Sequence, residues 1–488
     1  MERVKAGLLT KPFPSYSLFP DIVDRVIKNP YALYLDGGSG QFKSSRYSFL
    51  SVNPFLIFKC QGNRVSLTDR NGEKFIDGDP FSCLNILVNS YEIDSNREAI
   101  PFIGSAAGYL GYDMGRLIEK IPVRVKDDID IPDAVLCFYG SGIVADHLKK
   151  ELYAAASGLP ETDRRLQKIK ASHDLDALMD FADPESNRPE EDVLSGYGQP
   201  VSVESNFNHE DYLAAVDRVK DYIRSGDVYQ VNLSQRFICD ITRSPFDVYD
   251  SLRKKSPAPY SCFFNCDDFH ILSSSPEAFL KMNKDQVETR PIKGTRPRGE
   301  TEAEDKKMKE ALINSAKDRA ELLMITDLER NDLGRVCEYG SIYPEALFEL
   351  EAYSNVFHLA STIKGKLKEG NTHVDCLREC FPGGSITGAP KIRAMEIIEE
   401  LERCRRKIYT GAIGYFGFNQ KSDFNIAIRT ILHKDGRYYF SVGGGIVADS
   451  DPEKEYEETL HKAKGMMGAL NASVGGKGEG FNRTDNLL

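Results

Sequence analysis

Short apolar runs separated by turn residues characterise the first part of the chain. Tyr31–Leu35 is followed by Asp36–Gly38, and Leu56–Cys60 is followed by Gln61–Asn63. Apolar runs of this length, bounded by glycine, asparagine and aspartate, are typical of strands joined by turns. We therefore predict that residues 1–155 form antiparallel sheet with a few interleaved helices.

The pattern changes after this region. A helical period is followed by a polar, proline-containing segment with few apolar residues, which indicates a helix and an exposed connector. Asn208 then caps a predicted helix that ends at Gly226, and Val228–Phe237 alternates like a strand. The predicted organisation is an N-terminal region (1–155), a helix and connector (156–207), a catalytic region (208–470) and a flexible tail (471–488).

Composition narrows the possible partners. The chain has 488 residues and a formal net charge of −11, which argues against nucleic acid or an anionic membrane as the main partner. No run approaches the ~18 apolar residues of a membrane span, and no signal peptide is evident. The ten cysteines contain no CxxC pair, so we expect free thiols in a cytoplasmic protein.

Lys293 is the first candidate for chemistry. It lies in Arg290–Gly299, a stretch dense with arginines and broken by glycine. A lysine that attacks carbon must be neutral, and burial or nearby positive charge lowers its pKa from the usual value of about 10.4. For an arbitrary lysine, a solvated position in a basic loop is the simpler interpretation.

Two acidic pairs have helical spacing. Asp318 and Glu321 lie three residues apart, as do Glu455 and Glu458, so each pair shares one face of a predicted helix. Two such helices could together bind magnesium, which prefers oxygen ligands. On spacing alone, two ordinary charged helix faces are the favoured alternative.

Two glycine-rich segments are candidate anion sites. Phe381–Lys391 opens a predicted helix over Ile392–Leu401, where free amides and the helix dipole favour an anion. It lacks the Lys-Ser/Thr of a Walker A loop, so ATP binding is disfavoured. Ser441–Ile446 is predicted to be a loop whose backbone can approach a ligand, or else a tight strand bend.

Two charged residues stand beside apolar runs. Arg429 lies within Ile426–Ile431, which we predict to be a strand, and a charge there is costly unless it is paired. Either a substrate carboxylate or an internal salt bridge would explain it. Glu277 follows a predicted strand and could be a general acid, although an isolated acid in that position is more often at the surface.

Taken in order, these motifs resemble those of the chorismate-utilising enzymes. The resemblance is dense from about residue 208 to 468 and looser from about 10 to 150. It implies an α+β fold with two lobes of antiparallel sheet as the core, peripheral helices, and the active site between the lobes. The segments that carry it are Tyr229–Phe237, Ser275–Glu277, Pro291–Thr295, Asp327–Arg335, Phe381–Lys391 and Gly443–Val447.

The resemblance also implies which residues form the site. Magnesium would be coordinated by Glu321 and Glu458, with Asp318 and Glu455 completing or supporting the set, and would hold the ring carboxylate of chorismate. His358 matches a family histidine near the ring, and a packed structural role is the alternative for it. The other implied substrate-binding residues are Gly294, Thr295, Thr387, Tyr409, Arg429, Gly443, Gly444, Gly445 and Lys462.

Lysine in the Pro-Ile-Lys-Gly-Thr motif is typical of the aminodeoxychorismate synthase component I branch, whereas anthranilate synthases usually have alanine. The implied reaction is attack by Lys293 on ring carbon C2 while Glu277 protonates the departing C4 hydroxyl. Ammonia then adds at C4 and expels the lysine, giving 4-amino-4-deoxychorismate for p-aminobenzoate and folate synthesis. Gln230 replaces the lysine expected in isochorismate synthases, which disfavours hydration.

Two alternatives remain open. One is anthranilate synthase component I with an exceptional lysine at this position. The other is a catalytically silent scaffold, although the metal, acid and arginine residues that such a scaffold would lose are all present.

The resemblance implies two further partners. The chain has no glutaminase nucleophile motif, so we expect it to use free ammonia or ammonia from a separate glutamine amidotransferase subunit. Leu33–Gly38 differs from the Leu-Leu-Glu-Ser of tryptophan-inhibited relatives, which argues against feedback by tryptophan. A structural tryptophan pocket is still implied, lined by Gly37, Ser44, Ser45, Arg46, Tyr47, Pro259, Tyr260 and Ser261.

Overall fold

The computed structural model describes residues 3–38, 46–94, 104–183, 201–352 and 356–474. The burial of successive residues along each strand shows whether one or both of its faces are covered. Leu56–Gln61 alternates between buried and partly exposed residues, as in a strand with one covered face, whereas Gln230–Asp240 is buried along most of its length. The second pattern places that strand in the interior of the molecule.

The first twelve strands of the described chain precede the long α-helix that follows residue 160. They are β1 (Val4–Ala6), β2 (Leu9–Pro12), β3 (Leu33–Asp36), β4 (Tyr47–Ser51), β5 (Leu56–Gln61), β6 (Arg64–Asp69), β7 (Gly72–Asp77), β8 (Tyr91–Ile93), β9 (Ser105–Leu110), β10 (Ala134–Tyr139), β11 (Ser141–Asp146) and β12 (Glu151–Ala156).

The later strands carry most of the candidate site residues. They are β13 (Val201–Ser205), β14 (Gln230–Asp240), β15 (Tyr260–Asn265), β16 (Phe269–Ser275), β17 (Ala278–Asn283), β18 (Gln286–Arg290), β19 (Ile292–Pro297), β20 (Tyr343–Ala352), β21 (Val356–Lys366), β22 (Gly388–Ala389), β23 (Ala412–Gly417), β24 (Lys421–Ile426), β25 (Thr430–Lys434), β26 (Arg437–Ile446) and β27 (Ala472–Val474).

Most of the α-helices begin at a side chain that accepts a hydrogen bond from the first turn. Asn208, for example, accepts from the Asp211 amide at 2.8 Å, which confirms the predicted cap of α4. The helices are α1 (Phe19–Val26), α2 (Pro80–Asn89), α3 (Arg164–Asp180), α4 (His209–Arg224), α5 (Pro245–Lys255), α6 (Glu302–Ile313), α7 (Ala316–Val336), α8 (His373–Cys380), α9 (Lys391–Leu401) and α10 (Pro452–Leu470). None of them is long and apolar enough to cross a membrane, within the ranges described.

Two large sheets organise these elements. The first sheet has the order β19-β21-β18-β17-β24-β23-β9-β10-β5-β6-β7, with β20 also paired to β21. The second has the order β2-β12-β11-β4-β3-β15-β16-β25-β26-β14-β13-β27, with β22 paired to β14. Almost all of the pairings are antiparallel, the exceptions being the parallel pairs β1–β8 and β13–β27. Each sheet therefore combines strands from both halves of the chain.

The main hydrophobic core lies between the two sheets. Tyr109 and Leu136 from the first sheet belong to the same buried cluster as Phe264 and Ile271 from the second. A second cluster covers the other face of the second sheet, where α1, α3, α5 and α10 contribute buried apolar residues. Burying both faces explains why its central strands are apolar on both sides.

Three local expectations were wrong, and a fourth was left between two alternatives. Val201–Ser205 is a strand within the predicted connector, because its backbone pairs with β14 and β27. Ala472–Val474, predicted to belong to the flexible tail, is the strand that pairs with it. Arg429 lies between β24 and β25 rather than within a strand. Of the two alternatives for Gly443–Gly445, a loop or a strand bend, the structure has the glycines inside strand β26. Residues 184–200 and 475–488 are outside the described ranges.

Candidate active site

The candidate site lies where the chain passes between the two sheets. Glu277 connects β16 of the second sheet to β17 of the first, and Arg429 connects β24 of the first sheet to β25 of the second. The prediction that Glu277 follows a strand is confirmed, but its side chain is buried rather than at the surface. Crossing points of this kind bring polar residues into the space between two apolar faces.

A bulge in β19 positions Lys293. The register between β19 and β21 shifts between Lys293 and Thr295, which leaves Gly294 as the extra residue. Gly294 has a φ of +73°, and an added Cβ would lie 2.8 Å from Leu312 Cδ1 and 2.9 Å from Asp318 Cγ. Glycine is therefore required here both by the backbone conformation and by the close approach of α7.

Lys293 and Glu277 both lie beside Ser385. Lys293 Nζ donates to the Ser385 carbonyl at 3.0 Å. The Ser385 side chain and the Ile292 backbone lie near Glu277 and lower the pKa of its carboxyl. Ser385 belongs to a short 3-10 helix, Gly384–Ile386, in the Phe381–Lys391 segment. The amine and the carboxyl are thus held beside the same turn.

Burial shifts the pKa values of both groups. It lowers the pKa of Lys293, an effect that Lys462 reinforces and Glu277 opposes. It also raises the pKa of Glu277, which the charge of Lys293 partly offsets. Both shifts favour the neutral forms, a neutral amine and a protonated carboxyl, because a low-dielectric site disfavours charge. These are the forms that a nucleophile and a general acid require.

The acidic pairs lie on α7 and α10, as predicted. Glu321 on α7 has its pKa raised by burial, and the charge of Glu458 on α10 contributes to the same rise. An added Cβ at Gly444 would be 3.1 Å from Glu455 Oε2 and 3.8 Å from Glu458 Oε1, so α10 directs both glutamates at β26. The two pairs therefore face the site from different sides.

The four carboxylates have different local partners. Asp318 accepts from Arg296 at 2.8 Å, and Glu455 accepts from the Ser450 hydroxyl at 2.6 Å. Glu321 lies 3.8 Å from Lys317, and Glu458 lies 2.8 Å from Lys462. Three of the four carboxylates thus lie beside a cation, and Glu455 bonds to a hydroxyl instead.

We tested whether these residues fit magnesium. In the part of the chain that the structure describes, no three histidine, cysteine or acidic side chains are grouped closely enough to enclose a metal ion. Magnesium is commonly held by one or two carboxylates together with water and substrate oxygens. Glu321 and Glu458, which approach from separate helices and interact electrostatically, fit that smaller donor set.

Arg429 is a partly buried cation without a carboxylate partner among the described residues. Its side chain makes one long hydrogen bond, 3.5 Å to Ser256 Oγ, and burial lowers its pKa. Its backbone has a φ of +50°, an uncommon conformation for a residue other than glycine. An unpaired cation is costly in such a position, so a bound anion is the natural partner for it.

His358 and Thr295 lie on the same side of the site. Thr295 Oγ1 and His358 Nδ1 are 2.9 Å apart, and His358 is buried. Burial, with a contribution from the charge of Arg429, lowers the pKa of His358 to about 4. The imidazole is therefore neutral at neutral pH and does not add a second positive charge beside Arg429.

The remaining candidates line the β26 side and the Ser385 turn. Lys462 donates to the Gly443 carbonyl at 2.8 Å, so it contacts both the glycine strand and Glu458. Thr387 uses its hydroxyl within the turn, donating to the Gly383 carbonyl at 3.0 Å. Tyr409 is buried, and its pKa is raised to about 12 by that burial, which the nearby Arg406 partly offsets.

The residues that were predicted to line a tryptophan pocket lie away from Lys293. A cavity of about 510 Å³ is lined by Gly37, Arg46, Tyr47, Pro259, Tyr260 and Ser261, together with Asp36 and Asp423. Ser44 and Ser45 are outside the described residues. None of the residues that line this cavity belongs to the Lys293 site, so the structure contains two separate candidate sites.

Sequence reasoning missed three residues of the active-site region. Ser385 bonds to Lys293 and lies near Glu277, and Glu329 lies buried behind the same turn. Arg406 donates to the Ile386 and Asn232 carbonyls at 3.0 and 2.6 Å. Ser385 was within a recognised glycine-rich segment, but its role depends on a contact 92 residues away along the chain, which no local pattern shows.

Comparison with known proteins places the chain in a family. A family model described as chorismate binding enzyme matches residues 31–468. The chain therefore belongs to the chorismate-binding enzyme family, which confirms the resemblance inferred from the motifs.

Its relatives include two kinds of component 1 protein. Anthranilate synthase component 1 from Cereibacter sphaeroides is 40% identical over 445 residues, covering 89% of this chain and 88% of the relative. Aminodeoxychorismate synthase component 1 from Bacillus subtilis is 37% identical over 433 residues, covering 88% and 90%. The protein of that second name from Escherichia coli is 37% identical over 442 residues, covering 90% and 93%.

Solved structures show the same fold. Anthranilate synthase component I from Streptococcus pneumoniae has a TM-score of 0.76 at 34% identity and covers 86% of this chain and 92% of its own. The isochorismate synthase MenF from Escherichia coli has a TM-score of 0.70 at 15% identity, covering 96% of both chains, and supports the fold alone. The predicted α+β class, with large antiparallel sheets and peripheral helices, is confirmed.

Proposed function

We propose that the chain is the component I subunit of an aminodeoxychorismate synthase, which converts chorismate and ammonia to 4-amino-4-deoxychorismate. The observation that carries this proposal is the pairing of Lys293 with Glu277 beside Ser385, where burial favours a neutral amine and a protonated carboxyl. A nucleophile and an acid in these forms, next to the unpaired cation Arg429, suit the removal of a hydroxyl from an anionic substrate.

In the proposed reaction, Lys293 Nζ forms a bond to ring carbon C2 of chorismate. The two ring double bonds shift, the C4–O bond breaks, and Glu277 gives its proton to the departing oxygen, which leaves as water. Ammonia then bonds to C4, the double bonds shift back, and the Lys293 amine leaves C2. Two displacements replace one difficult substitution.

The other residues bind and orient the substrate. Arg429 and the β26 glycines hold the enolpyruvyl side, with Tyr409 nearby, and Gly294 and Thr295 bound the ring. Glu321 and Glu458 would hold magnesium, with Asp318 and Glu455 supporting them through their own hydrogen bonds. When bound, magnesium would neutralise the ring carboxylate of chorismate.

Ammonia is proposed to come from a separate subunit. The chain carries no glutaminase nucleophile motif, and its relatives are named as component 1 proteins. A glutamine amidotransferase would be the second component. The test is whether glutamine supports the reaction only when that subunit is added, whereas ammonium salts support it without the subunit.

The second cavity is proposed to bind free tryptophan. Its volume of about 510 Å³ is within the usual range for small-molecule sites. Because the chain contains no tryptophan residue, tryptophan released from purified, denatured protein can be measured by its own fluorescence. An equimolar amount is expected, and no tryptophan together with no binding on addition would contradict this part of the proposal.

Anthranilate synthase activity is the second candidate function, favoured by the 40% identity to such a protein. Product analysis distinguishes anthranilate synthase activity from aminodeoxychorismate synthase activity. The protein is incubated with chorismate, magnesium and ammonium, and the product is identified by chromatography with and without an aminodeoxychorismate lyase. We expect a product that becomes p-aminobenzoate only when the lyase is present. Fluorescent anthranilate formed without the lyase would overturn the assignment.

A further inference from the structure

One carboxyl group on the wall of the second cavity has an unmade hydrogen bond. Asp423 of β24 lines that cavity, and its side chain is partly buried. Its Oδ1 is fully buried and has no hydrogen-bond partner. Withdrawing a carboxylate from water without a partner is costly. A ligand that donates hydrogen bonds to Asp423 would therefore be favoured in this cavity.

The register of the first sheet directs Asp423 toward the cavity. Asp423 lies directly opposite Tyr415 of β23 on one side and Lys281 of β17 on the other. Residues directly opposite one another on antiparallel strands project from the same face of the sheet. Tyr415 and Lys281 also line the cavity, so the three side chains face it together.

The other acid on the cavity wall already has partners. Among the described residues that line the cavity, Asp36 is the second carboxylate. Its Oδ1 accepts from a backbone amide at 2.9 Å and from the Ser48 hydroxyl at 3.4 Å. Its Oδ2 accepts from Tyr249 at 3.1 Å and from Arg253 at 3.2 Å. Asp36 thus stabilises the wall itself, whereas Asp423 is the acid that a ligand can use.

The charges around Asp423 favour a bound cation. Burial raises the pKa of Asp423 to about 6, with Glu288 adding to the rise and Lys281 opposing it. No hydrogen bond from Lys281 reaches Oδ1. The carboxyl is therefore mostly ionised at neutral pH although it has lost much of its hydration, and a cationic donor would offset that loss.

We propose that Asp423 binds the ammonium group of an amino acid in the second cavity and makes the cavity selective for that group. This inference rests on the proposed binding of tryptophan there. Phe49 and Tyr415 line the same cavity and would contact an aromatic side chain, while Arg46 and Lys281 would attract the ligand carboxylate. The wall thus carries charges that complement both charges of a free α-amino acid.

Three indole compounds separate the two ligand charges. Tryptophan carries both, tryptamine carries only the ammonium group, and indolepropionate carries only the carboxylate. Because the chain contains no tryptophan residue, ligand fluorescence and isothermal titration calorimetry both report binding to exhaustively dialysed protein. We expect tryptophan to bind the unmodified protein at least about tenfold more tightly than indolepropionate, as for a charge-assisted hydrogen bond.

Asp423→Asn removes the charge and keeps the shape of the side chain. The dissociation constants of tryptophan and tryptamine should rise at least about tenfold, whereas that of indolepropionate should stay the same or fall. Glu288→Gln is the matched control, because Glu288 lies opposite Lys281 on β18 and is not among the residues that line the cavity. It should leave all three constants unchanged. Chorismate turnover with ammonium, which uses the separate Lys293 site, shows whether each variant is folded.

Equal affinity of the unmodified protein for tryptophan and indolepropionate would overturn the inference, and that comparison needs no variant. Unchanged tryptophan affinity in Asp423→Asn would also overturn it, with tryptophan binding itself left intact. Phenylalanine, phenethylamine and phenylpropionate form a second series. If this series shows the expected pattern while no indole binds, the proposed ligand is wrong and the role of Asp423 stands. If no member of either series binds, the role of Asp423 is overturned as well.

Discussion

Arg429 shows at the scale of one residue how function can oppose stability. Its guanidinium is partly buried, and no carboxylate in the described ranges neutralises it. A charge withdrawn from water without a partner destabilises the free protein, whereas a bound carboxylate would supply the missing hydrogen bonds. The position therefore favours the complex with an anion over the free protein.

Arg429→Met tests this balance. Methionine keeps most of the volume of the side chain and removes the charge. We expect the melting temperature to rise or stay the same, and KM for chorismate to rise by at least about 10-fold, as expected for loss of a charge-assisted hydrogen bond. Differential scanning calorimetry and steady-state kinetics measure the two effects.

Arg437→Met is a suitable control, because Arg437 is exposed and its ion pair with Asp240 lies at 3.1 Å on the surface. Exposed pairs of this kind contribute little, so neither quantity should change much. A fall in stability of Arg429→Met with unchanged KM would show that Arg429 is a structural residue and not an anion-binding one.

At the scale of the element, the bulge in β19 couples the nucleophile to α7. Gly294 has a left-handed backbone conformation, and α7 occupies the space where a side chain would extend. The same helix carries Asp318, whose carboxylate holds Arg296 two residues further along β19. Lys293 is thus positioned by contacts on both sides of one glycine.

Gly294→Ala should therefore destabilise the protein more than an alanine substitution at another glycine with a comparable backbone conformation. Gly340→Ala is the matched control, since Gly340 has a φ of +77° and no atom within 4 Å of an added Cβ. The control should lose about 1 kcal/mol of unfolding free energy from backbone strain. Gly294→Ala should lose more and should also reduce kcat, because the clash with Asp318 moves Lys293.

Chemical denaturation and steady-state kinetics provide the comparison. Equal losses of stability in the two variants, with normal activity in Gly294→Ala, would mean that the close approach of α7 is not needed to position Lys293.

The sequence anticipated the elements whose signals are local. The cap at Asn208, the helices carrying Asp318, Glu321, Glu455 and Glu458, and the position of Glu277 after a strand all follow from short-range patterns. For the glycines of β26, a loop and a strand bend both stayed open because glycine is common in loops, whereas here it allows Gly443 to approach the Leu233 carbonyl of β14. That requirement comes from another strand and leaves no local signal.

The site itself could be anticipated only in part. Motif order suggested Lys293, Glu277 and Arg429, but the contact of Lys293 with Ser385 and the buried carboxyl of Glu329 depend on segments far apart in the chain. The absence of a counter-ion for Arg429 among the described residues is likewise visible only in three dimensions.

At the scale of the whole molecule, the two halves of the chain share both sheets. Strand β9 lies between β10 and β23, and β3 lies between β4 and β15. Removing the N-terminal region would expose two new sheet edges and much of the core between the sheets. Such edges favour aggregation over folding.

We therefore expect that a fragment of residues 201–474 does not unfold cooperatively and does not consume chorismate. Calorimetry and the chorismate assay on the fragment, the full chain and the two halves produced together are the relevant measurements. The halves together should recover part of the activity. A single sharp transition and full activity in the fragment alone would show that the N-terminal strands are dispensable.

The covalent step is the central claim of the account, and intact mass spectrometry tests it most directly. The protein is mixed with chorismate and magnesium without ammonia, quenched with acid, and compared with Lys293→Ala and with Lys307→Ala, an exposed lysine on α6. We predict an adduct of chorismate less one water in the unmodified protein and in Lys307→Ala, located at Lys293 by peptide mapping and absent from Lys293→Ala. No adduct on the unmodified protein, together with full ammonia-dependent turnover by Lys293→Ala, would contradict it.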